Sequence, residues 1–275
     1  TPLMVSLRGD RTAVFAGEEL SIELFVCNDT HTVSDGHTLV LELMDSTGNV
    51  VMGGEYDAKF GENSSFMQGD VCFTAPDVTA RESYTLRAIL TDGTGKVLHY
   101  TDESVEIFPH MAEEPGTAVS VSGEAFLARQ EELTSVAASG KTIVINGLEP
   151  GTYDIAGTEV KVKACGMRAL HFVSRKTGHP LVEGFTPYDF RLWYDTEKDR
   201  ITPLLRRTFT ADGMTPILTS GNSLTASAWG QKLYPAFACA EMKCGNGKII
   251  LNEVDLDSHL ANPVARIFKN RLMRY

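Results

Sequence analysis

The sequence predicts two domains, an antiparallel β-sandwich followed by an α/β domain. Residues 1–108 alternate apolar and polar side chains in short runs such as 20–26, 39–43 and 84–90, the period of strands with one buried face. Turn signals such as Asp35-Gly36 and Asp92-Gly93 separate the runs, as in a sandwich. Residues 109–116 break this pattern with prolines and an acidic pair, which indicates a linker. Residues 117–275 then mix strand and helix periods.

The second domain opens with the pattern of a βαβ unit. Residues 117–123 are predicted to be a strand, 124–139 a helix with one apolar side, and 141–146 a strand buried on both faces. This order predicts a parallel, right-handed crossover. Further strands are expected at 157–164, 169–173 and 247–256. Asn262 and Pro263 are typical of a helix start, and the helix they begin should hold Arg271 and Arg274 in its last turn.

Composition narrows the class of protein. A hydrophobic content of 43% with 22% charged residues predicts a full core. The net charge of −11 disfavours a nucleic-acid partner, and there is no apolar run of about 18 residues to span a membrane. The five cysteines are irregularly spaced and are expected to be free thiols. With no signal peptide, this favours a bacterial cytoplasmic location, although starting at Thr1 rather than Met suggests a fragment of a longer polypeptide.

No metal site and no cofactor are predicted. The similar segments 43–51 and 90–98 both place Asp and Gly three apart, which favours hairpin turns, since one carboxylate per loop supplies too few oxygens for calcium. His31, Asp35 and His37 share one loop but lack the fixed geometry of a metal site. The segment "GLEPG" (147–151) lacks a phosphate-binding motif.

Cys165 is the one candidate nucleophile that the sequence suggests. A nucleophile elbow needs small residues two before and two after the nucleophile, and here those positions are Lys163 and Met167. His171 or His179 would have to serve as the base, which spacing alone cannot show. A cysteine-dependent amidohydrolase is therefore kept only as an alternative hypothesis.

The stretch "HPLVEGFTPYDFRLWYD" (179–195) has two interpretations. In the first, Trp193 and Tyr194, with Trp229 from elsewhere, stack on a sugar while Asp189 and Arg191 contact it. The favoured interpretation is a packing corner in which the aromatic side chains are core anchors and Asp189 and Arg191 hold buried polar atoms. The anchors would be Phe185, Tyr188, Phe190 and Trp193.

The same residues resemble a known family. The segment "GHPLVEGFTPYDFRLWYD", followed by "ITPLL", "TPILTS", "GNGKIILNEVDL" and "NPVARIF", resembles the C-terminal region of bacterial glycoside hydrolase family 2 enzymes, of the β-galactosidase, β-mannosidase and β-glucuronidase kind. The segment "FAGEELSIELFVCNDT" (15–30) looks like the start of a sandwich domain that follows the catalytic barrel in some of them. The resemblance covers nearly the whole chain.

The resemblance implies an immunoglobulin-like sandwich over 1–108 and, over 117–275, an α/β domain similar to glutamine amidotransferase-like or flavodoxin-like domains. Such enzymes hydrolyse O-glycosidic bonds with retention, using two glutamates on a (β/α)₈ barrel of about 250 residues. The 167 residues after position 108 leave no room for that barrel, so no catalytic residue is carried over. The chain is expected to be a non-catalytic accessory region that packs on the barrel of its parent polypeptide, supports homo-oligomerisation or shapes substrate access. The alternative from a different class is a carbohydrate-binding module.

Overall fold

The computed structural model describes residues 2–9, 11–112, 115–165, 170–220 and 236–275. The chain divides into two compact units, Thr1–Met111 and Ala112–Tyr275. The division falls inside the segment 109–116 that the sequence marks as a linker. None of the helices in the described residues is long and apolar enough to cross a membrane.

The first unit is a β-sandwich of eight described strands. In chain order they are β1 (Leu3–Arg8), β2 (Ala13–Phe15), β3 (Glu19–Asn28), β4 (Thr38–Met44), β5 (Val50–Asp57), β6 (Ser64–Thr74), β7 (Glu82–Thr91) and β8 (Val97–Phe108). One sheet has the order β1-β3-β6 and the other β2-β8-β7-β4-β5. All pairs are antiparallel except β2–β8. The predicted sandwich is confirmed, while its immunoglobulin-like subclass stays a prediction.

The core of this unit follows from the alternation in the sequence. Leu20 and Ile22 of β3 and Leu86 of β7 point inward from the two sheets and pack in one cluster. The predicted hairpin turns form as well. The Asp45 carboxylate accepts hydrogen bonds from the backbone N–H groups of Thr47 and Asn49, and Asp92 does the same in the second turn. These local bonds are the reason that Asp-x-x-Gly turns are favourable.

The second unit is built on a mixed sheet. Its described strands and helices are β9 (Val119–Ser122), α1 (Gly123–Ala128), α2 (Gln130–Ala138), β10 (Thr142–Asn146), β11 (Gly151–Ile155), β12 (Thr158–Ala164), β13 (Val173–Ser174), β14 (Tyr194–Asp195), β15 (Arg200–Ile201), β16 (Arg207–Ala211), β17 (Thr215–Ser220), β18 (Ala236–Cys244), β19 (Gly247–Asn252) and α3 (Pro263–Arg274). The main sheet has the order β11-β12-β16-β18-β19-β10-β9, with β17 paired to β18 and β13 paired to β17. Strands β14 and β15 form a separate hairpin.

The predicted βαβ unit is present, because β9 and β10 pair in parallel. The helix between them is interrupted at Arg129, whose φ of −129° is not helical, and so becomes α1 and α2. Gly123 lets α1 start close to the next loop, since a Cβ there would lie 2.5 Å from the carbonyl oxygen of Gly147. The two helices cover one face of the sheet with Phe126 and Leu133.

A flavodoxin-like or amidotransferase-like domain is not supported. Among the pairings seen in the described part of this sheet, only β9–β10 and β10–β19 are parallel. The others are antiparallel, and two of these pairs, β11–β12 and β18–β19, are joined by tight hairpins rather than helical crossovers. Ala156 and Gly157 join β11 to β12 with positive φ angles of 50° and 82°, the backbone of a two-residue hairpin turn. The predicted strand at 169–173 is reduced to β13, with residues 166–169 outside the described ranges.

Candidate functional site

The stretch 179–195 folds as irregular turns that pack beside α3. It begins with a single 3₁₀ turn, Pro180–Val182, which His179 caps by accepting a hydrogen bond from the Leu181 N–H at Nδ1, 3.2 Å away. Pro180 has no N–H to leave unpaired at this position, which suits the start of such a turn. Neighbouring residues of the sequence, His179 and Pro180, therefore determine how this turn begins.

Three of the predicted packing anchors are buried. Phe185, Phe190 and Trp193 are at most 5% exposed. Phe190 lies at the centre, with ring centroids 5.1 Å from Phe185, 5.8 Å from Trp193 and 5.5 Å from Phe268 of α3. These are edge-to-face and tilted contacts, the arrangements that aromatic rings prefer. The packing interpretation is therefore confirmed for these three side chains.

The fourth predicted anchor is wrong. Tyr188 is 72% exposed, and its ring covers the guanidinium of Arg191 at 4.9 Å instead of entering the core. The guanidinium of Arg191 also contacts the ring of Phe172, whose centroid is 5.2 Å away. The turn that buries Phe190 directs Tyr188 outward. In such an irregular turn, side-chain directions do not follow the two-residue period of a strand, so the sequence pattern does not show which side chains are buried.

Asp189 forms hydrogen bonds to buried polar groups, as the packing interpretation predicts. Its carboxylate accepts the Thr186 N–H at 2.6 Å, and its backbone carbonyl accepts the indole N–H of Trp193 at 2.7 Å. The buried indole N–H thus has a partner, as a buried tryptophan requires.

The proposed sugar-stacking residues do not form one platform in the described part of the chain. Trp193 is 1% exposed, so its ring faces are not available to a sugar. Tyr194 is half-buried and its hydroxyl bonds to Asp199. Trp229 lies outside the described residues. Sugar contacts by Tyr194, Asp189, Arg191 or Trp229 stay a prediction.

Cys165 follows β12 and is held as a neutral thiol. Its Sγ–H donates to the Leu205 carbonyl at 3.2 Å. Burial raises the pKa of the Cys165 thiol, and the nearby Glu253 raises it further. An activated nucleophile needs the opposite shift and a neighbouring base. Neither His171 nor His179 is hydrogen-bonded to this thiol in the described residues, and Met167 of the failed elbow lies outside them.

The sequence did not predict a cavity of about 250 Å³ at the end of β10 and β19. The two strands are parallel neighbours, so their carboxyl ends meet at one edge of the sheet, where open sheets commonly bind ligands. Ser120, Asn146 and Glu253 supply polar atoms to the cavity. Val144 and Leu272 of α3 supply apolar surface on the side of the sheet opposite α2.

A hydrogen-bond network fixes the cavity floor. Asn252 Nδ2 donates to Asn146 Oδ1 at 2.9 Å, and Asn146 Nδ2 donates to the Ser120 hydroxyl at 2.9 Å. Glu253 Oε1 accepts the Leu148 N–H at 2.8 Å, and the Gly147 N–H bonds to the Asn252 carbonyl. Hydrogen bonds between the first residues after β10 and the residues at the end of β19 therefore connect the two loops.

Glu253 is the most perturbed acid of this site. It is 7% exposed, and burial raises its pKa from the ordinary 4.5 to about 7. The hydrogen bond from Leu148 and the charge of Arg207 act in the opposite direction but do not compensate for the lost hydration. A polar Asn-Glu pair directly after the apolar run of β19 was the only sequence signal that could have pointed here. No group of three or more metal-ligating side chains is found among the residues that the structure covers.

The protein thus has two β-rich units, and the second contains a buried aromatic corner and a small polar cavity. No protein-family model matches the chain, and no curated protein matches it. Among solved structures, it is similar to a β-glucuronidase from glycoside hydrolase family 2, with a TM-score of 0.32 and 11% identity over 52% of this chain and 19% of that one. It is also similar to a calcium-binding mutant of Bacteroides uniformis β-glucuronidase 2, with a TM-score of 0.29 and 11% identity over 53% of this chain and 20% of that one.

A third similar structure is the CARDB domain of a Pyrococcus furiosus protein in complex with di-metal ions. Its TM-score is 0.30 with 13% identity, over 39% of this chain and 94% of that one. The structural neighbours thus include family 2 β-glucuronidases at low similarity, and the match spans about a fifth of each of those chains. Because all these TM-scores lie below 0.5, no function is assigned from them.

Proposed function

We propose that the chain is a non-catalytic accessory region of a bacterial family 2 glycoside hydrolase. The parent polypeptide would hydrolyse O-glycosidic bonds with retention on a separate (β/α)₈ barrel. This chain would pack on that barrel, support oligomerisation or shape the entrance for substrate. The proposal starts from the resemblance of 178–195 and of the later segments to the C-terminal region of those enzymes.

The burial of Trp193 is the observation that carries the proposal. In the stretch 179–195, which carries the resemblance, this ring and Phe190 lie in the core. The oxygens of Asp189 accept hydrogen bonds from the backbone of Thr186 and from the Trp193 indole. Residues that pack in the core can be similar in two proteins because the two share a fold. Such a similarity does not imply that the proteins catalyse the same reaction.

The sheets supply a second line of support. Within the described ranges, the sheets comprise a sandwich, a mixed sheet and a two-stranded hairpin, and none is a closed ring of eight parallel strands. A retaining glycosidase of this family needs such a ring to hold its two glutamates about 5 Å apart. Hydrolysis would therefore be a property of the parent, with the barrel of the same polypeptide as the partner of this chain.

The first test is an activity assay. The purified chain is incubated with aryl β-galactoside, β-mannoside and β-glucuronide, together with the variants Glu253→Gln and Cys165→Ala. We expect no turnover above the buffer rate from any of the three proteins. Turnover by the wild-type chain that either substitution removes would overturn the proposal, since it would place a catalytic group in this chain.

The second test concerns the parent polypeptide. We expect the gene product that contains these residues to carry a barrel with two essential glutamates. Removing residues 1–275 from it should leave the dependence on those glutamates unchanged but should alter its thermal stability, KM or oligomeric mass. A gene product without such a barrel would contradict the proposal directly.

A further inference from the structure

We propose that the cavity at the end of β10 and β19 binds a small uncharged molecule that carries several hydroxyl groups. The inference rests on the cavity and its polar side chains and does not depend on the accessory role. Its volume of about 250 Å³ lies below the range of about 300–1,000 Å³ that holds drug-sized ligands, so the ligand would be a small one.

The carboxyl group of Glu253 keeps one oxygen available to a ligand, since Oε2 is not among the fully buried unpaired atoms of the described residues. Glu253 is 7% exposed and lines the cavity, yet only its Oε1 accepts a hydrogen bond from the described residues. Water can therefore reach Oε2 when the cavity holds no ligand, and a ligand that displaces this water must replace its hydrogen bond. A ligand hydroxyl at Oε2 would supply such a bond.

The other polar groups can both donate and accept. The Ser120 oxygen accepts the Asn146 amide N–H, which leaves the hydroxyl proton of Ser120 able to turn to a ligand. The raised pKa of Glu253 keeps part of its population protonated near neutral pH, so that the carboxyl group can donate as well as accept. Hydroxyl groups have this same dual capacity, which makes them suitable partners for both side chains.

The charges around the cavity favour an uncharged ligand. Three cations line the cavity: Arg207 pairs with Glu149, Lys269 pairs with Asp257, and Arg206 is exposed to solvent. An anionic ligand would also meet the buried carboxyl group of Glu253. The apolar wall that includes Leu272 suits the C–H face of a ring or a short carbon chain.

The experiment is a titration followed by NMR and calorimetry. The probes are glycerol, myo-inositol, D-glucose and D-galactose, and the charged comparators are inorganic phosphate and succinate. We expect saturable, millimolar binding of at least one polyol and no binding of the comparators. Glu253→Gln should keep the affinity within about threefold, because the amide also donates and accepts, whereas Glu253→Leu should lose about tenfold for one missing hydrogen bond.

A second variant protects the test against misfolding of Glu253→Leu. Ser120 is exposed on the edge strand β9, so Ser120→Phe should fold and block the cavity mouth, lowering affinity by at least about tenfold. The matched control is Thr152→Phe on β11, an exposed residue at the opposite edge of the same sheet, which should bind as the wild type does.

Three outcomes would overturn the inference. The first is no binding of any polyol at about 100 mM, far above a millimolar Kd. The second is polyol binding that Ser120→Phe leaves unchanged, because the ligand would then lie elsewhere. The third is binding of phosphate or succinate that Ser120→Phe abolishes, because the site would then be one for anions. None of these results bears on the presence of a barrel in the parent polypeptide.

Discussion

Glu253 links the stability of the second unit to pH in a direction opposite to that of most carboxylates. Burial raises the pKa of this side chain from 4.5 to about 7 in the folded protein. Between these two values the folded state holds a proton that the unfolded state releases. Stability therefore falls as the pH rises from about 4.5 to 7, and it stays at its lower value above that window.

The size of the effect follows from the two pKa values. Each pH unit between them corresponds to about 1.4 kcal/mol, so the full window is worth about 3 kcal/mol. Solvent screening reduces this little, because only 7% of Glu253 is exposed. Glutamine at this position keeps the volume and the carbonyl that accepts the Leu148 N–H, but it does not titrate.

Urea denaturation of the wild type and Glu253→Gln at pH 4.5 to 8 measures the effect. Tryptophan fluorescence reports this half of the chain, since the two tryptophans are Trp193 and Trp229. The stability of Glu253→Gln relative to wild type should rise by about 3 kcal/mol across the window. Glu132→Gln is the control: Arg129 lowers the pKa of Glu132, so its pH dependence lies below about 4.5. A Glu253→Gln difference that is flat over this range would refute the reasoning.

Three further predictions concern packing, backbone strain and thiol reactivity. Trp193→Ala should lower the free energy of unfolding by about 3–5 kcal/mol in urea, whereas Tyr188→Ala, which removes an exposed ring, should cost less than about 1 kcal/mol; equal losses would contradict the buried corner. Ala156→Gly should raise stability by about 1 kcal/mol in the same assay, because φ is +50° there, and a loss would show that this turn is not strained. Iodoacetamide at pH 7 should label Cys165 more slowly than the exposed Cys72, as peptide mass analysis would show, and faster labelling would restore Cys165 as a candidate nucleophile.

The elements that the sequence predicts well are those determined by neighbours along the chain. Helix α3 begins as expected, with the Asn262 side chain accepting the Val264 N–H at 2.9 Å and Pro263 in the first turn. The β9–helix–β10 unit has the same local origin. The interruption at Arg129 was not predictable, because neither Gly nor Pro marks it.

Strand direction in the second unit was harder to predict, because it depends on the turns. Ala156-Gly157 is not one of the strong hairpin dipeptides, so the β11–β12 hairpin had little signal. Gly245-Asn246, between β18 and β19, is such a dipeptide and could have indicated an antiparallel pair. The flavodoxin-like or amidotransferase-like domain was expected from the family resemblance, and the one crossover unit in the sequence does not determine the rest of the sheet.

The candidate cavity could not be predicted from local patterns. Asn146 and Asn252 are 106 positions apart, and they meet only because β10 and β19 are paired in one register. A slip of either strand by one residue would turn its asparagine to the other face of the sheet and separate the pair. Turn and helix signals in the sequence carry no information about such a register.

The aromatic corner and the cavity are connected through α3. Arg271 Nη1 donates to the carbonyl oxygens of Leu181 at 3.0 Å and Glu183 at 2.7 Å, which fixes the helix to the turns of the corner. One turn earlier, Phe268 packs on Phe190. The same helix presents Leu272 to the cavity, so the packing of the corner sets the position of one cavity wall. A stretch that resembles a binding site in composition can therefore influence binding indirectly, by positioning the helix that completes the cavity.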